Sequence, residues 1–279
     1  MEQRRSQYTS LPTGGLSPQS RAQLTRILRQ TAGTVSPAEV AKILGLPAGK
    51  AARLLSRWAA QGWVARVQRG LYVPVPLDSD TTDVALEDPW IVAERLFAPC
   101  YIGGWSAAEH WGLTEQIFRS VLVLTVRRPR NRTPEFKGTK FQLRTVNPRH
   151  LFGLKTIWRG RAKVKVSDPA RTVVDMLDDP ALGGGLRGTV DVFRAFLESK
   201  ELRDIGRLCE YADRLNNGAV MKRLGFLLET FAADEGEAIA RCRQRLSKGN
   251  VRLDPALPSR RLVTSWRLWV PESWRKQPP

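Results

Sequence analysis

Side chains able to do covalent or metal chemistry are few and scattered in this sequence. His110 and His150 are its two histidines. Neither sits beside a cysteine or in an H-E-x-x-H pattern, so hydrolytic triads and zinc sites have no local support. Cys100, Cys209 and Cys242 are odd in number and far apart, which fits neither a disulfide framework nor a zinc pair, and they read as reduced, buried thiols. Glu135-Phe136-Lys137 has the form of the E-x-K half of a metal-dependent nuclease. Pro134 and Gly138 bracket it as a loop, however, and no Asp lies between Asp88 and Glu135, so the carboxylate cluster that metal chemistry needs is missing. Glu109-His110 reads as helix packing and capping. Gly183-Gly184-Gly185 lacks the Lys and Ser or Thr of a phosphate loop and reads as a hinge. These residues predict no catalysis, no metal and no cofactor.

The chemistry that remains is the binding of polyanions. Forty-five Lys and Arg against 27 Asp and Glu give a formal charge of +18, enough to attract nucleic acid or an acidic protein from a distance. The charge is uneven. Residues 1–75 hold 11 Lys and Arg against Glu2 and Glu39, residues 76–125 hold two against eight acids, and residues 126–165 hold 13 against Glu135 alone. Within the first block Lys50, Arg53 and Arg57 are spaced by three and four, placing them on one helical face, and Arg66 and Arg69 follow near a turn. Lys50 and Arg53 are the candidates for contact with base edges, and Arg57, Arg66 and Arg69 for contact with phosphate or the minor groove. Arg127, Arg128, Arg130, Arg132, Lys163 and Lys165 form a possible second basic surface.

The elements that must position these cations follow from start and stop signals. Residues 1–16 lack apolar periodicity and read as a flexible arm. Ser17-Pro18 opens a helix carrying Leu24, Ile27 and Leu28, which ends at Gly33. Ser36, Pro37 and Glu39 form a capping-box start for a second helix, and Gly45 breaks it abruptly. The segment PAGKAARLLSRWAAQG then sets off in a new direction, with Leu54, Leu55 and Trp58 facing a core and the cations facing out. In WVARVQRGLYVP the period changes to that of two short strands turning at Gln68-Arg69-Gly70. A basic hairpin after a recognition helix is a wing, so residues 17–75 are expected to form a winged helix-turn-helix. Residues 76–89, acidic and punctuated by Pro, read as a linker.

A larger domain over residues 90–275 is expected to be mixed α and β, giving an α+β chain overall. IVAERLF reads as a helix, SVLVLTV as a buried strand, and further strands are expected near 140–146, 154–158 and 162–167. Asp168 and Pro169 open a helix with Val173, Val174 and Leu177 on its core face. VDVFRAFLESKELRDIGRLCEYADRL and AVMKRLGFLLETFA read as helices separated by Asn216-Asn217-Gly218, and RLVTSWRLWVP as a last strand. No run approaches the roughly 18 apolar residues of a membrane span, and the polar start has no signal-peptide core behind it, so a cytoplasmic location is expected.

The segments GWVARVQRGLYVP, YIGGWSAAEHWGL, VSDPARTVVDMLDDPALGGGL and MKRLGFLLE, in that order, resemble the AbiEi family, the antitoxin half of AbiE-type (type IV) toxin–antitoxin and abortive-infection operons. The resemblance runs from about residue 20 to 270. It implies a bacterial or mobile-element repressor that binds inverted repeats in its own promoter as a cooperatively binding monomer. It also implies that the repressor counteracts an AbiEii-type nucleotidyltransferase toxin, with the second domain supplying the antitoxin activity. The competing expectations are an RNA- or toxin-binding module with non-specific DNA affinity, and a metal-dependent nuclease using Glu135.

Overall fold

A computed structural model describes residues 17–75 and 86–274. The arm expected over 1–16 and most of the linker expected over 76–89 lie outside these residues. The chain is mixed α and β, with helices at its N-terminal end and a larger sheet-containing region after them. It divides into two units. The first takes in the described residues up to Ala98 together with Asn131–Phe141 and Ile157–Val164; the second comprises Pro99–Arg130, Gln142–Thr156 and the described residues from Lys165 on.

In the first unit, helices α1 (Pro18–Gln30), α2 (Pro37–Leu44) and α3 (Ala48–Ala60) precede a hairpin of β1 (Val64–Gln68) and β2 (Leu71–Pro74). The Ser17 side chain caps α1 by accepting from the Ser20 N–H at 3.2 Å. At the start of α2 the Ser36 hydroxyl accepts from the Glu39 N–H at 3.3 Å while the Glu39 carboxylate accepts from the Ser36 N–H at 2.9 Å, the reciprocal box expected from the sequence. Gly45 ends α2 in the left-handed region at φ 67, which turns the chain out of the helix direction before α3 starts. Leu24, Ile27, Val35, Val40, Ala51, Leu54, Leu55, Trp58, Val64 and Tyr72 make one buried cluster. Val35 bridges Tyr72 antiparallel, so a third short extended segment lies beside the hairpin. Helix α4 (Pro89–Phe97) follows, capped by Asp88.

The remaining strands are β3 (Cys100–Ile102), β4 (Ser120–Thr125), β5 (Glu135–Phe136), β6 (Thr139–Thr145), β7 (Leu154–Arg159) and β8 (Ala162–Ser167), which form a six-stranded sheet in the order β5-β6-β4-β3-β8-β7. Its pairs β3·β4 and β5·β6 are antiparallel and β3·β8 is parallel. Glu135-Phe136 is therefore half of a short hairpin rather than a loop, with Lys137 and Gly138 as its left-handed turn. Helices α5 (Gly104–His110), α6 (Pro169–Asp178), α7 (Leu186–Glu198), α8 (Ile205–Leu215), α9 (Gly218–Phe231) and α10 (Gly236–Gln244) supply the helical layer. A small sheet of β9 (Val251–Arg252), β10 (Ser259–Val263) and β11 (Leu268–Pro271) completes the chain.

Three expectations are corrected. The long helix read through VDVFRAFLESKELRDIGRLCEYADRL is two helices, because Ser199 leaves α7 in an extended conformation and Asp204 opens α8 with a new cap on the Arg207 N–H. The last segment is a hairpin of β10 and β11, with a 3-10 turn at Thr264–Trp266 and Arg267 in the left-handed region. Gly183-Gly184-Gly185 is an ordered turn into α7. Gly183 closes a 3-10 turn (Pro180–Gly183) and is buried, where a Cβ would stand 2.5 Å from the Thr189 hydroxyl, while Gly184 and Gly185, with open space around Gly185, hold φ of 77 and 106. Cys100, Cys209 and Cys242 are all buried, and none of them is in a disulfide.

Candidate nucleic-acid interface

Helix α3 is divided lengthwise. Ala51, Leu54, Leu55 and Trp58 are buried, while Lys50, Arg53 and Arg57 are exposed. At 3.6 residues per turn these three cations fall within a sector of about 60°, and at 1.5 Å per residue they span about 10 Å of helix axis. That is a single cationic edge held in place by the apolar face behind it. Beside it lies an open groove of about 820 Å³, to which α1 contributes Gln19, Ser20 and Gln23, and α3 contributes Lys50, Arg53, Arg57 and Gln61. The uncharged groups are amides and a hydroxyl, donors able to meet phosphate oxygens without adding negative charge.

The hairpin carries the other two candidates. Arg66 and Arg69 are exposed, and Gly70 turns the chain at φ 81. A register shift between Arg66 and Gln68 twists β1 just before the tip, where the Arg66 Nε approaches the Gln68 carbonyl at 3.4 Å.

What gives this surface its character is the absence of counter-charge. Glu39 is the sole acid of residues 17–75. One of its oxygens is taken by Ser36, and the other by Arg95 of α4 at 2.5 Å. Among the described residues, Lys50, Arg53, Arg57, Arg66 and Arg69 have no carboxylate within ion-pair distance. Cations left unneutralised on a rigid element keep their full attraction for an external polyanion.

The sequence reading missed three members of the same class. Arg21, Arg26 and Arg29 lie exposed along the outer face of α1 and likewise lack ion pairs among the described residues. Their signal was in the helix already recognised. Once Leu24 and Ile27 are placed inside, these arginines fall outside.

The second basic surface is divided. Arg127, Arg128 and Arg130 are exposed after β4 and belong to the second unit, as does Lys165; Arg132 and Lys163, also exposed, belong to the first.

The second unit holds a buried ionic cluster of which only the Asp168 cap carries a local signal. The Tyr101 hydroxyl on β3 donates to Asp175 at 3.0 Å and accepts from Arg171 Nη2 at 3.3 Å, and Arg171 Nη2 pairs with Asp175 at 2.8 Å. Asp168 accepts from the Arg171 N–H and, on its other oxygen, from the Tyr211 hydroxyl, both at 2.8 Å. Burial raises the Asp175 carboxyl to about 6 against the opposing pull of Arg171. It also pushes the Tyr101 hydroxyl well above its ordinary value. With Arg171 and Asp175 both nearly inaccessible, this network fastens α6 to β3. Among the described residues no group of three or more His, Cys, Asp and Glu side chains is placed to hold a metal ion, and no helix is long and apolar enough to cross a membrane.

Residues 22–75, which contain α1 from its second turn through the hairpin, match the family model described as the transcriptional regulator AbiEi antitoxin. This is the family whose resemblance the sequence carries. Among solved structures, the RV2827C protein from Mycobacterium tuberculosis is similar with a TM-score of 0.57 at 16% identity, over 93% of this chain and 94% of that one, a likeness of fold. No curated protein matches the chain.

Proposed function

We propose that residues 17–75 are a winged helix-turn-helix that holds duplex DNA, with α3 in the major groove and the β1–β2 hairpin as the wing. The observation that carries this reading is the α3 edge of Lys50, Arg53 and Arg57, unpaired among the described residues and backed by a buried apolar face. A helix of ordinary diameter fits the major groove, whose width is about 12 Å, and cations at its front reach base edges while those behind reach phosphate. Lys50 and Arg53, nearest the start of α3, take the base-reading role, and Arg57, Arg66 and Arg69 the positioning role.

The biological reading joins this geometry to the family match. The chain acts as the sequence-specific repressor and antitoxin of a toxin–antitoxin operon, binding inverted repeats in its own promoter and counteracting a nucleotidyltransferase toxin. It works by binding and not by catalysis. Residues 76–89 connect the DNA-binding head to the region, 90–275, that carries the antitoxin activity.

The test is titration of the full chain against its own upstream DNA and a random duplex of equal length. The parent binds its promoter more tightly, and Lys50→Ala with Arg53→Ala removes that preference, each lost bidentate base contact being worth about 1–3 kcal/mol of discrimination. Equal affinity of the parent for both duplexes would overturn the repressor reading. Co-expression with the neighbouring toxin tests the antitoxin role, which fails if growth is not rescued.

A further inference from the structure

The thirteen-to-one basic block is not used by the α3 interface, and its most unusual member is not a cation. All nine tryptophans lie among the described residues, and Trp158 alone is exposed, at 64%. It lies on β7 just before the Gly160 turn. Strand alternation sends its neighbour Arg159 the other way, toward Asp88 at 3.6 Å and over the Trp90 ring at 4.4 Å. Across the turn, Ala162 and Val164 of β8 are buried and Arg161 and Lys163 are exposed. The Lys163 ammonium stands 4.8 Å from the Trp158 ring centroid. Arg161 donates one nitrogen to the Arg29 carbonyl at the end of α1 and lines a groove with Arg159 and Asp88, so it stands off the Trp158 face. From residue 136 to 167 the sequence contains no Asp or Glu.

We infer that the face of the β7–β8 hairpin bearing Trp158 and Lys163 binds an unpaired stretch of RNA, stacking a base on the Trp158 indole and holding a flanking phosphate with Lys163. An exposed indole beside an unopposed lysine is complementary to a ligand that is aromatic and anionic at once. A duplex offers such a face only its backbone and groove edges, whereas unpaired bases offer π faces, and in RNA loops and ends such bases are the usual target of aromatic side chains. Lys163 now covers part of the ring. Its flexible stem lets it swing to a phosphate, and the stacked base that replaces it makes the stronger contact. This inference does not depend on the DNA reading of α3.

The experiment uses the full chain carrying Lys50→Ala and Arg53→Ala, so that the α3 surface contributes little, and fluorescence anisotropy with labelled oligocytidylate RNA of about ten nucleotides and its deoxy counterpart. Trp158→Ala should weaken RNA binding at least about tenfold, within the range for loss of one stacked base. Trp158→Phe should stay within about threefold of its parent, and Lys163→Gln should reduce the salt dependence by about one phosphate contact. Unchanged binding in Trp158→Ala, or no binding of the RNA by the parent, overturns the proposal. Equal or tighter binding of the deoxy strand with the same dependence on Trp158 overturns the assignment to RNA. Promoter binding by Trp158→Ala in the otherwise unaltered chain is measured alongside, and its persistence separates failure of this site from failure of the α3 interface.

Discussion

Helix α3 and the surface formed by α8, α9 and α10 are both rich in arginine, yet the side chains meet different company. In the second unit Arg241 and Arg245 share Asp213 at 2.5 and 3.3 Å, Arg243 meets Glu229 at 2.5 Å, Arg203 meets Glu235 at 2.7 Å, and Arg207 meets Asp204 at 3.4 Å. In the first unit the one acid of residues 17–75 is held by Ser36 and Arg95, and the cations of α3 and the hairpin have no carboxylate partner among the described residues. If α3 is the DNA-binding helix proposed above, arginine count is a poor guide to a nucleic-acid surface. What distinguishes one is that its cations are unopposed and stand on an element whose other face is locked into a core. Cations with internal partners are expected to matter for folding, and those without to matter for ligand.

The sharpest way to break that division is Arg223, a cation held entirely by the fold. It is 4% exposed and donates to the carbonyls of Leu177 at 2.7 Å, Asp178 at 3.0 Å and Arg252 at 2.9 and 3.1 Å. Arg223→Ala strands three carbonyl groups and opens a cavity, and the expected loss is about 3–5 kcal/mol of unfolding free energy by denaturant titration. A variant as stable as the parent would mean that internal pairing does not decide which arginines hold the fold.

Next in size is the pH response of Asp175. Its carboxyl is raised to about 6 in the folded chain from an ordinary value of 3.8. The folded state therefore binds its proton more tightly than the unfolded state does, and the stability from this group is complete below about pH 4 and is lost as pH rises through about 6. Asp175→Asn should flatten the parent's stability profile across that window. If parent and variant keep parallel profiles between pH 4 and 6, burial does not control this carboxylate.

Much of the first unit was legible before any coordinates. Ser36, Glu39 and Gly45 are local signals whose partners lie within five residues, so their geometry follows from sequence spacing alone, and the split of α3 into an apolar and a cationic face needs only helical periodicity. Arg223 was not legible. In MKRLGFLLE it stands beside Lys222 like any solvated pair, and only the distant carbonyls at 177, 178 and 252 make it an interior residue. Lys222 is equally buried and donates to the Gly249 carbonyl at 2.7 Å. The grouping of 131–141 and 157–164 with the N-terminal residues was invisible for the same reason, since linear linker signals carry no record of non-local packing. Trp158 was hidden by its type, because an isolated tryptophan in a strand is presumed interior until its neighbours are seen.

The comparison is sharpened on the ligand side by salt. If Arg57 and Arg69 each neutralise one phosphate, Arg57→Ala with Arg69→Ala should reduce the slope of log affinity against log salt by about 1.8, near twice the 0.9 expected per contact. Between 50 and 200 mM salt this amounts to about a tenfold smaller loss of affinity than the parent suffers. The effect should be equal for promoter and random duplex, because phosphate contacts carry no base information. An unaltered slope would remove both residues from the interface.

The smallest effect belongs to the surface pairs of the second unit, and it tests the other half of the rule. Arg203 and Glu235 are each about one-third exposed, at 37% and 30%, and the same guanidinium reaches the Leu197 carbonyl at 3.4 Å. Water screens such a pair, and ordering two long side chains offsets part of the attraction, so Arg203→Ala should cost under about 1 kcal/mol. The same change should leave promoter affinity and its salt slope untouched, although it removes the same formal charge as Arg57→Ala. Equal losses of DNA affinity from the two substitutions would mean that net charge alone, and not the placement of unopposed cations on α3, attracts the duplex.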